Sequence, residues 1–459
     1  MGAVSEHAFD VVVMGLGPGG EYLAGELARA GVPVAGVEAS LVGGECPYWG
    51  CVPSKMMIRA ANLLAEGRRI PGMAGDSGIS PAWAPVAKRI RDEATDNWDD
   101  KVAADRFTDL GGTLFRGQAT ITGPGTVRVG DDVLTARRGI VIGTGTRPAV
   151  PAIEGIAGTP YWTNHEAIET GEVPGSLLIL GGGAVGAELA QVFSRFGSSV
   201  TLIEERPRLL PHEEPEAGQL ITRVFREGGI EVETGTAAVS VRHDGGEFAV
   251  TLSDGRPLRG EQLLVATGRT AELGRLGLDA IGLDPSARFI ETDGDMLAAP
   301  GVWALGDVVG KGGFTHMSMY HAGIILSQLL GRPYHRAEYH AVPRVTFTDP
   351  EIGGVGLTEA RAREQLGARV RTAIMPIPES ARGWIHKAGN DGFIKLVADR
   401  ERGVLVGATS AGPVGGEVLS MLTLAVHAPV PVQRLTEMIY AYPTFHRAVS
   451  DTLAKLDLG

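Results

Sequence analysis

This chain of 459 residues has only two cysteines, Cys46 and Cys51. The further Cys or His pairs that four-coordinate zinc usually needs do not accompany them, which argues against a metal site. The chain also lacks a basic block, so its net charge of −12 argues against binding to a phosphate backbone. No apolar run approaches ~20 residues, and no basic segment precedes the first one, so we expect neither a membrane span nor a secretory leader. These absences predict a cytoplasmic protein that binds neither nucleic acid nor membranes.

The two cysteines are close together in the sequence, with four residues between them. At the start of a helix, two thiols at this spacing approach closely enough for a disulfide, and the positive end of the helix dipole favours a thiolate. One sulfur then attacks a substrate while the other resolves the adduct. A buried thiol pair without chemistry is the alternative. The spacing therefore predicts a dithiol/disulfide couple, and the surrounding chain decides between the two hypotheses.

A short β-branched run at residues 9–14 leads directly into a glycine-rich turn and then into an Ala- and Leu-rich helical stretch. In the turn, Gly15 permits a tight bend, Gly17 lets the backbone approach a pyrophosphate, and Gly20 lets the helix pack on the strand. Glu38 ends the next strand, where a carboxylate can accept hydrogen bonds from a ribose diol. Strand, turn, helix and acid in this order predict a dinucleotide site.

The same unit recurs later in the chain at a constant offset. An apolar run at residues 176–180 leads into a second glycine turn. The residues that repeat Gly15, Gly17, Gly20 and Glu38 are Gly181, Gly183, Gly186 and Glu204. Chance agreement of so long a spaced pattern is improbable. Two dinucleotide sites are therefore predicted.

Together with the Cys-x4-Cys motif, the two glycine units resemble the class I pyridine nucleotide-disulfide oxidoreductases. This family includes glutathione reductase, dihydrolipoyl dehydrogenase, mercuric reductase and soluble transhydrogenase. The segments Ala-Thr-Gly-Arg at 266–269 and Ala-Leu-Gly-Asp at 304–307 strengthen the resemblance, which covers nearly the whole chain. It implies an α/β fold with two Rossmann-like dinucleotide-binding domains, one for FAD and one for NAD(P), and an α+β C-terminal dimerisation domain.

The resemblance also divides the chain and implies a homodimer. The implied domains are an FAD-binding first part at 1–148, an NAD(P)-binding domain at 149–268, a central FAD-binding part at 269–338 and a dimerisation domain at 339–459. Residues 56–66 and 82–110 have helical composition, and a strand at 139–142 ends in a small-residue turn.

The resemblance assigns roles residue by residue. Cys51 is implied to lie against the flavin, Cys46 to exchange with the substrate, and Lys55 to pair with Glu188 on the second glycine helix. The residues implied to bind FAD are Gly15, Gly17, Pro18, Gly19, Gly20, Glu38, Ala39, Gly44, Glu45, Cys51, Lys55, Ala119, Thr144, Gly145, Asp307 and His316. Those implied to bind NAD(P) are Gly181, Gly183, Ala184, Val185, Gly186, Glu188, Glu204 and Gly268.

These assignments imply an electron route from a reduced nicotinamide through the flavin to the disulfide and on to a disulfide substrate. Lys55, one helical turn after Cys51, is expected to stabilise negative charge on the reduced ring and the thiolate. Asp307 suits either the flavin ribityl chain and phosphates or a helix N-cap. For His316 and His321, packing or hydrogen bonding is favoured over direct catalysis.

The nicotinamide nucleotide is predicted from the end of the second unit. A carboxylate at Glu204 accepts a hydrogen bond from the 2′-hydroxyl of NAD and repels the 2′-phosphate of NADP, which favours NADH. Arg206 and Arg208 follow closely and could reach a phosphate, so NADPH stays open.

The chain departs from the family near its C-terminus. Where most thiol-disulfide members carry an acid/base histidine before Pro-Thr, with a glutamate five residues later, this chain has Tyr442 and Arg447. An ordinary tyrosine, with a pKa of about 10, is a poor base at neutral pH. Two interpretations of His446 stay open: it replaces the missing group, or it is a surface or interface histidine. Turnover of glutathione-like and lipoamide-like substrates is therefore in doubt.

A second departure is the bulky sequence Pro47-Tyr48-Trp49 between the cysteines, which suits either packing or contact with a planar substrate.

Three hypotheses for the function follow. The first is a reductase of a small-molecule or protein disulfide. The second is a flavin-dependent reductase of a quinone, a metal ion or a nucleotide, with the dithiol as a reservoir. The third is a redox-sensing flavoprotein dimer with little turnover.

Overall fold

The computed structural model describes residues 5–459. Its contacts separate the chain into two compact units. The first comprises the chain up to Ser54, Ala87–Ala149 and Arg269–Glu338. The second comprises Lys55–Val86, Val150–Gly268 and Tyr339–Gly459. Within residues 5–459, none of the helices combines the length and the apolar character that crossing a membrane requires.

The strands alternate with helices through most of the chain. The strands up to residue 204 are β1 (Ser5–Met14), β2 (Val34–Glu38), β3 (Thr113–Arg116), β4 (Ala119–Gly123), β5 (Thr126–Val129), β6 (Asp132–Ile142), β7 (Arg147–Pro148), β8 (Ser176–Leu180) and β9 (Ser199–Glu204). The later strands are β10 (Glu231–Thr234), β11 (Ala238–Asp244), β12 (Glu247–Leu252), β13 (Pro257–Gly260), β14 (Gln262–Val265), β15 (Arg269–Thr270), β16 (Leu297–Ala299), β17 (Val302–Ala304), β18 (Arg344–Thr346), β19 (Glu351–Gly356), β20 (Val370–Pro376), β21 (Phe393–Asp399) and β22 (Val404–Gly412).

The helices range from one turn to five. They are α1 (Pro18–Arg29), α2 (Glu45–Tyr48), α3 (Cys51–Arg68), α4 (Ala84–Arg89), α5 (Lys101–Asp109), α6 (Asn164–Glu169), α7 (Ala184–Arg195), α8 (Pro215–Glu227), α9 (Thr315–Leu329), α10 (Glu359–Leu366), α11 (Ala381–His386), α12 (Gly415–His427), α13 (Val432–Glu437) and α14 (Arg447–Leu453). A π-helical turn covers Ile90–Ala94, and short 3-10 helices cover Leu273–Arg275, Leu278–Ile281, Gly306–Val309, Gly367–Arg369 and Ile377–Glu379.

The first unit is built on an eight-stranded sheet with the order β16-β17-β6-β1-β2-β3, to which the β4-β5 hairpin is added beside β6. Strand β1 lies between β2 and β6 and is parallel to both, with Val11 opposite Val34 and Gly139. The inner half of β1 is fully buried, as expected for a parallel strand that is covered on both faces. Helices α1 and α9 pack closely here, since a Cβ on Gly19 would come within 2.4 Å of Ser318 Oγ.

The second unit repeats part of this topology. Its four-stranded parallel sheet has the order β10-β9-β8-β14, which matches β3-β2-β1-β6 in the first unit. A three-stranded meander, β11-β12-β13, follows β10. The C-terminal segment (residues 339–459) forms a five-stranded antiparallel sheet with the order β18-β19-β22-β21-β20, on which α12 and α14 bury an aliphatic core. The predicted α/β fold with two Rossmann-like parts is therefore confirmed.

The helix that composition predicts over residues 82–110 is interrupted. Helix α4 runs into the π-helical turn, and regular helix resumes only with α5. Left-handed backbone, which an α-helix cannot contain, separates them. In this break, Asp96, Asn97 and Trp98 have φ between 47° and 57°.

His321 is a core histidine of α9. Its side chain is 0% exposed, and its Nδ1 accepts a hydrogen bond from the Gly306 N–H at 3.1 Å. Burial lowers the pKa of His321 to about 4, so the ring is neutral at pH 7. The hydrogen-bonding role favoured from the sequence agrees with this geometry.

We predict that His321 weakens the fold as the pH falls from about 6.5 to about 4. An unfolded histidine binds its proton near pH 6.5, whereas His321 in the folded protein binds one only near pH 4, so its stabilising contribution is complete above about pH 6.5 and declines below it. The free energy of unfolding should fall by up to about 1.4 kcal/mol per pH unit in this window. His321→Asn keeps an acceptor for Gly306 but cannot bind the proton, so its unfolding midpoint should depend less on pH. The exposed His316, changed to Asn, is the matched control, and an equal pH slope in His321→Asn and wild type would contradict the prediction.

Candidate active site

The two thiols lie together where one short helix ends and a longer helix begins. Cys46 is in α2, and Cys51 is the first residue of α3. No disulfide joins them, and the Cys46 thiol is hydrogen-bonded to that of Cys51. Oγ1 of Thr315, the first residue of α9, lies 3.4 Å from Cys51 Sγ. The structure therefore brings together the pair that the sequence predicted and adds a hydroxyl that it did not.

The environment of the pair makes the two sulfurs unequal. The hydrogen bond to Cys51 and burial together raise the pKa of Cys46 far above its ordinary value, and a smaller contribution from Thr315 opposes them. The remaining proton of the singly ionised pair therefore stays on Cys46, and the negative charge falls on Cys51. The start of an 18-residue helix is a favourable place for that charge, because the helix dipole is positive there.

Arg269 holds the thiol loop from one side. Its Nη1 lies 3.1 Å from Oε2 of Glu45, the residue before Cys46. Its Nε and Nη2 donate to the hydroxyl and carbonyl oxygens of Thr146 at 2.8 and 2.6 Å. The Thr146 hydroxyl in turn donates to Asp307 Oδ2 at 3.0 Å. This network joins four parts of the chain that are distant in sequence, and the motif that contains Arg269 did not indicate these contacts.

The first glycine turn fits an adenine dinucleotide. A Cβ on Gly20 would meet the Gly15 carbonyl oxygen at 2.0 Å, so the helix can pack this closely only on glycine, whereas the space beside Gly17 is open. The first turn of α1 has no side-chain cap, so its N–H groups can face a pyrophosphate. Glu38 accepts hydrogen bonds from the N–H groups of Leu16 and, in the loop after β2, Ser40, at 2.7 and 2.8 Å.

The second glycine turn has the same construction. A Cβ on Gly186 would meet the Gly181 carbonyl oxygen at 1.9 Å, and the space beside Gly183 is open. Glu204 accepts from the N–H groups of Gly182 and Arg206 at 2.7 and 2.8 Å, as Glu38 does in the first unit. The duplication seen in the sequence therefore extends to the individual hydrogen bonds.

The remaining residues assigned to cofactors lie mainly in turns and at helix starts. Pro18, Gly19 and Gly20 begin α1; Ala39 follows β2; Gly44 precedes α2; Thr144 and Gly145 follow β6; Ala184 and Val185 begin α7; and Gly268 precedes β15. Ala119 begins β4 and is buried. Asp307 lies in a 3-10 helix, where burial raises its pKa despite Thr146 and Arg269. His316 is exposed and stacks on Phe314 with a centroid distance of 5.0 Å.

Lys55 and Glu188 form the ion pair that the resemblance implies. Lys55 Nζ lies 2.7 Å from Glu188 Oε2 and 4.7 Å from the ring centroid of Phe347. The other carboxylate oxygen of Glu188 accepts from the Phe347 N–H at 2.8 Å. Glu188 is 6% exposed, so losing its partner would leave a buried charge. Phe347 was not recognised from the sequence.

The C-terminal residues at the family's acid/base positions belong to the second unit. Tyr442 is 73% exposed, and the exposed His446 directly precedes α14. Arg447 pairs with Asp451 at 3.3 Å within that helix.

Between the cysteines, Tyr48 is 6% exposed and donates to the Val42 carbonyl oxygen at 3.2 Å, which favours packing for this ring. Among residues 5–459, no group of three or more His, Cys, Asp or Glu residues is arranged to hold a metal ion.

Comparison with known proteins gives matches along the chain. Residues 9–322 match the family described as "Pyridine nucleotide-disulphide oxidoreductase", and residues 342–453 match its dimerisation domain. A dihydrolipoyl dehydrogenase from Chlorobaculum tepidum is 33% identical over 456 residues, covering 96% of this chain and 96% of that protein. A mercuric reductase from Streptomyces lividans is 33% identical over 459 residues, covering 96% of this chain and 94% of that protein.

A solved structure agrees with these matches. The Cu(II) complex of the HOCl-induced flavoprotein disulfide reductase RclA from Escherichia coli has a TM-score of 0.86 and 26% identity, and the alignment covers 98% of this chain and 99% of that one. The fold of this chain therefore matches, over nearly its whole length, that of a solved flavoprotein disulfide reductase. The chain belongs to the pyridine nucleotide-disulphide oxidoreductases and is a flavin- and nicotinamide-dependent oxidoreductase with a redox-active disulfide.

Proposed function

We propose that this protein is an NADH-dependent disulfide reductase. In this proposal, Cys46 exchanges with the substrate, and Cys51 lies against the flavin. The observation that carries the proposal is the placement of the two thiols beside each other, with Cys46 in α2 and Cys51 at the first position of α3. FAD supplies the two-electron link between a nicotinamide and a dithiol. The first glycine turn, Glu38 and the Glu45 and Asp307 region would hold it.

The proposed reaction is a pair of thiol-disulfide exchanges. Cys46 loses its proton and attacks one sulfur of the substrate disulfide, and the other substrate sulfur leaves as a thiol after taking a proton. Cys51 then attacks Cys46, which forms the protein disulfide and releases the second substrate thiol. Two electrons from NADH return the protein disulfide to two thiols. One NADH and one proton are therefore consumed along with each substrate disulfide.

The proposed NADH preference comes from Glu204, the last residue of β9, and from the loop that follows it. Glu204 is buried, and its carboxylate keeps lone pairs for a ribose diol beyond the two that its backbone hydrogen bonds use. Arg208, one of the two arginines that could favour a 2′-phosphate, instead donates to the carbonyl oxygens of Pro211 and Glu213 at 3.1 and 3.4 Å. This use of Arg208 within its own loop supports NADH.

Further parts of the proposal concern assembly and charge. The match to a dimerisation domain supports a homodimer. The proposed location is the cytoplasm. The proposed domain limits are 1–148, 149–268, 269–338 and 339–459. Lys55, fixed by Glu188, is proposed to supply positive charge that favours the reduced state of the site.

A soft metal ion is the second candidate for the terminal acceptor. A disulfide substrate needs a group that protonates its leaving thiol, and this chain has Tyr442 at the position of the family's acid/base histidine. A metal ion bound by two thiolates needs no such group, because the thiol protons pass to solvent. The two electrons from NADH then reduce one Hg(II) to Hg(0) or two Cu(II) to Cu(I). Several relatives are named mercuric reductases, and the RclA structure is a Cu(II) complex.

We predict that Cys46→Ser and Cys51→Ser each lower NADH-dependent reduction of a small disulfide by at least about 100-fold, because each exchange step needs its own sulfur. Steady-state NADH oxidation with a small aromatic disulfide measures the loss. Ferricyanide, which takes electrons without a thiol, is the control acceptor and should retain its turnover in both variants. Undiminished disulfide reduction by Cys46→Ser would disprove the proposed exchange role.

We also predict that Tyr442→His raises turnover of a disulfide about tenfold and leaves turnover of Hg(II) or Cu(II) unchanged. A histidine at this position restores an acid/base group that only the disulfide reaction uses. The measurement is kcat for each acceptor with saturating NADH, and His446→Asn is the matched control. A loss of disulfide turnover in His446→Asn, with no gain in Tyr442→His, would transfer the acid/base role to His446.

A further inference from the structure

A buried lysine in the C-terminal segment is surrounded by carboxylates. Lys395, in β21, has a side chain that is 4% exposed. Its Nζ lies within 3.0 Å of three carboxylate oxygens, one for each N–H of the ammonium. The three acids are Glu214 at 3.0 Å, Glu216 at 2.7 Å and Glu359 at 2.9 Å. Burial lowers the pKa of Lys395, but these hydrogen bonds outweigh burial and raise it, so the ammonium keeps its charge.

One of these acids, Glu214, ends the loop that follows the second glycine unit, and Glu216 lies in the first turn of α8, directly after that loop. We call residues 205–214 the anchored loop, since it begins after Glu204 and ends at Glu214, which is 2% exposed. Its last two residues both pair with the C-terminal segment. Glu214 binds Lys395, and Glu213 Oε1 accepts from Arg344 Nε at 2.6 Å. The other oxygen of Glu214 accepts from the Glu359 N–H at 2.6 Å.

The middle of the anchored loop touches the glycine turn directly. The Leu210 N–H donates to the Gly182 carbonyl oxygen at 2.9 Å. Leu210 has φ of 47°, a left-handed conformation that costs a leucine free energy and persists only when the surroundings hold it. Leu209 is fully buried, and its side chain occupies the space that a Cβ on Gly182 would need. Contacts with residues outside the loop are therefore needed to keep Leu210 in this conformation and hydrogen-bonded to the turn.

We propose that Lys395 and Arg344 are positioning residues for the nicotinamide nucleotide. By holding Glu214 and Glu213, they fix the anchored loop in the conformation that shapes the second glycine turn and the surroundings of Glu204. The C-terminal segment thereby controls nucleotide affinity through buried charges, without contacting the nucleotide. The inference rests on the proposed function, which assigns the second turn to NADH.

The C-terminal segment also binds α7, the helix that follows the second glycine turn. Beyond the Glu188 contact with Phe347, Gln191 in α7 exchanges two hydrogen bonds with the backbone of Asp349, at 2.7 and 2.9 Å. One side of the second turn is therefore fixed through α7 and the other through the anchored loop. Loss of the Lys395 contacts should loosen the loop and leave α7 in place.

The test uses Lys395→Met in the flavin-loaded protein. Loss of the ammonium should weaken NADH binding about tenfold and raise KM for NADH by a similar factor, with kcat within about twofold of wild type. Amide hydrogen exchange should become faster in peptides covering residues 205–214 and stay unchanged in α7. Binding of NADH and NADPH is measured by calorimetry, with no acceptor present.

Arg369→Gln is the matched control, because Arg369 pairs with Asp399 and Glu401 of the same C-terminal segment and does not contact the anchored loop. It should keep wild-type affinity. If Lys395→Met does not fold, Arg344→Gln and Glu214→Gln are measured with the same expectation. Affinity within twofold of wild type in a folded anchor variant would overturn the inference. Failure of the wild-type protein to bind NADH would instead overturn the proposed function.

Discussion

The hydrogen bond between Cys46 and Cys51 is the interaction on which the rest of the site depends. It divides one proton and one negative charge unequally between two similar sulfurs. The surroundings support the same division, because α3 presents its positive end to Cys51 and Thr315 contacts that sulfur. Glu45 and Arg269 hold the short helix that carries the other thiol. A dithiol arranged in this way is prepared for stepwise exchange.

The duplicated dinucleotide units show a second constraint. In each dinucleotide unit, the acid that ends the second strand accepts hydrogen bonds from two backbone N–H groups, one in the glycine turn and one in the loop beyond the strand. The carboxylate therefore fixes the turn before any ligand binds, and recognition of a ribose uses its remaining lone pairs. In the second dinucleotide unit, Glu213 and Glu214 also join the loop beyond the strand to the C-terminal segment through ion pairs. Within the described part of the chain, this connection has no counterpart in the first dinucleotide unit.

The features that could be predicted from the sequence depend on fixed spacing. The glycine turns, their acids and the thiol pair each follow from residues that are close in the chain, and the Lys55–Glu188 pair followed from the family pattern. Thr315 and Arg269 could not be predicted, because their partners are far away in sequence and meet only in the folded chain. The break before α5 was missed for a local reason: Asp96, Asn97 and Trp98 adopt left-handed backbone in a stretch without glycine or proline.

The most direct test of the unequal thiol pair is the pH dependence of thiolate ultraviolet absorbance in the reduced protein. In wild type and in Cys46→Ser, which keeps a hydroxyl donor beside Cys51, a thiolate should form at a lower pH than in Cys51→Ser. In Cys51→Ser the thiolate should form only at a higher pH, because Cys46 is the more buried thiol and does not lie at the start of the long helix α3. A thiolate that persists in Cys51→Ser and is lost in Cys46→Ser would contradict the account.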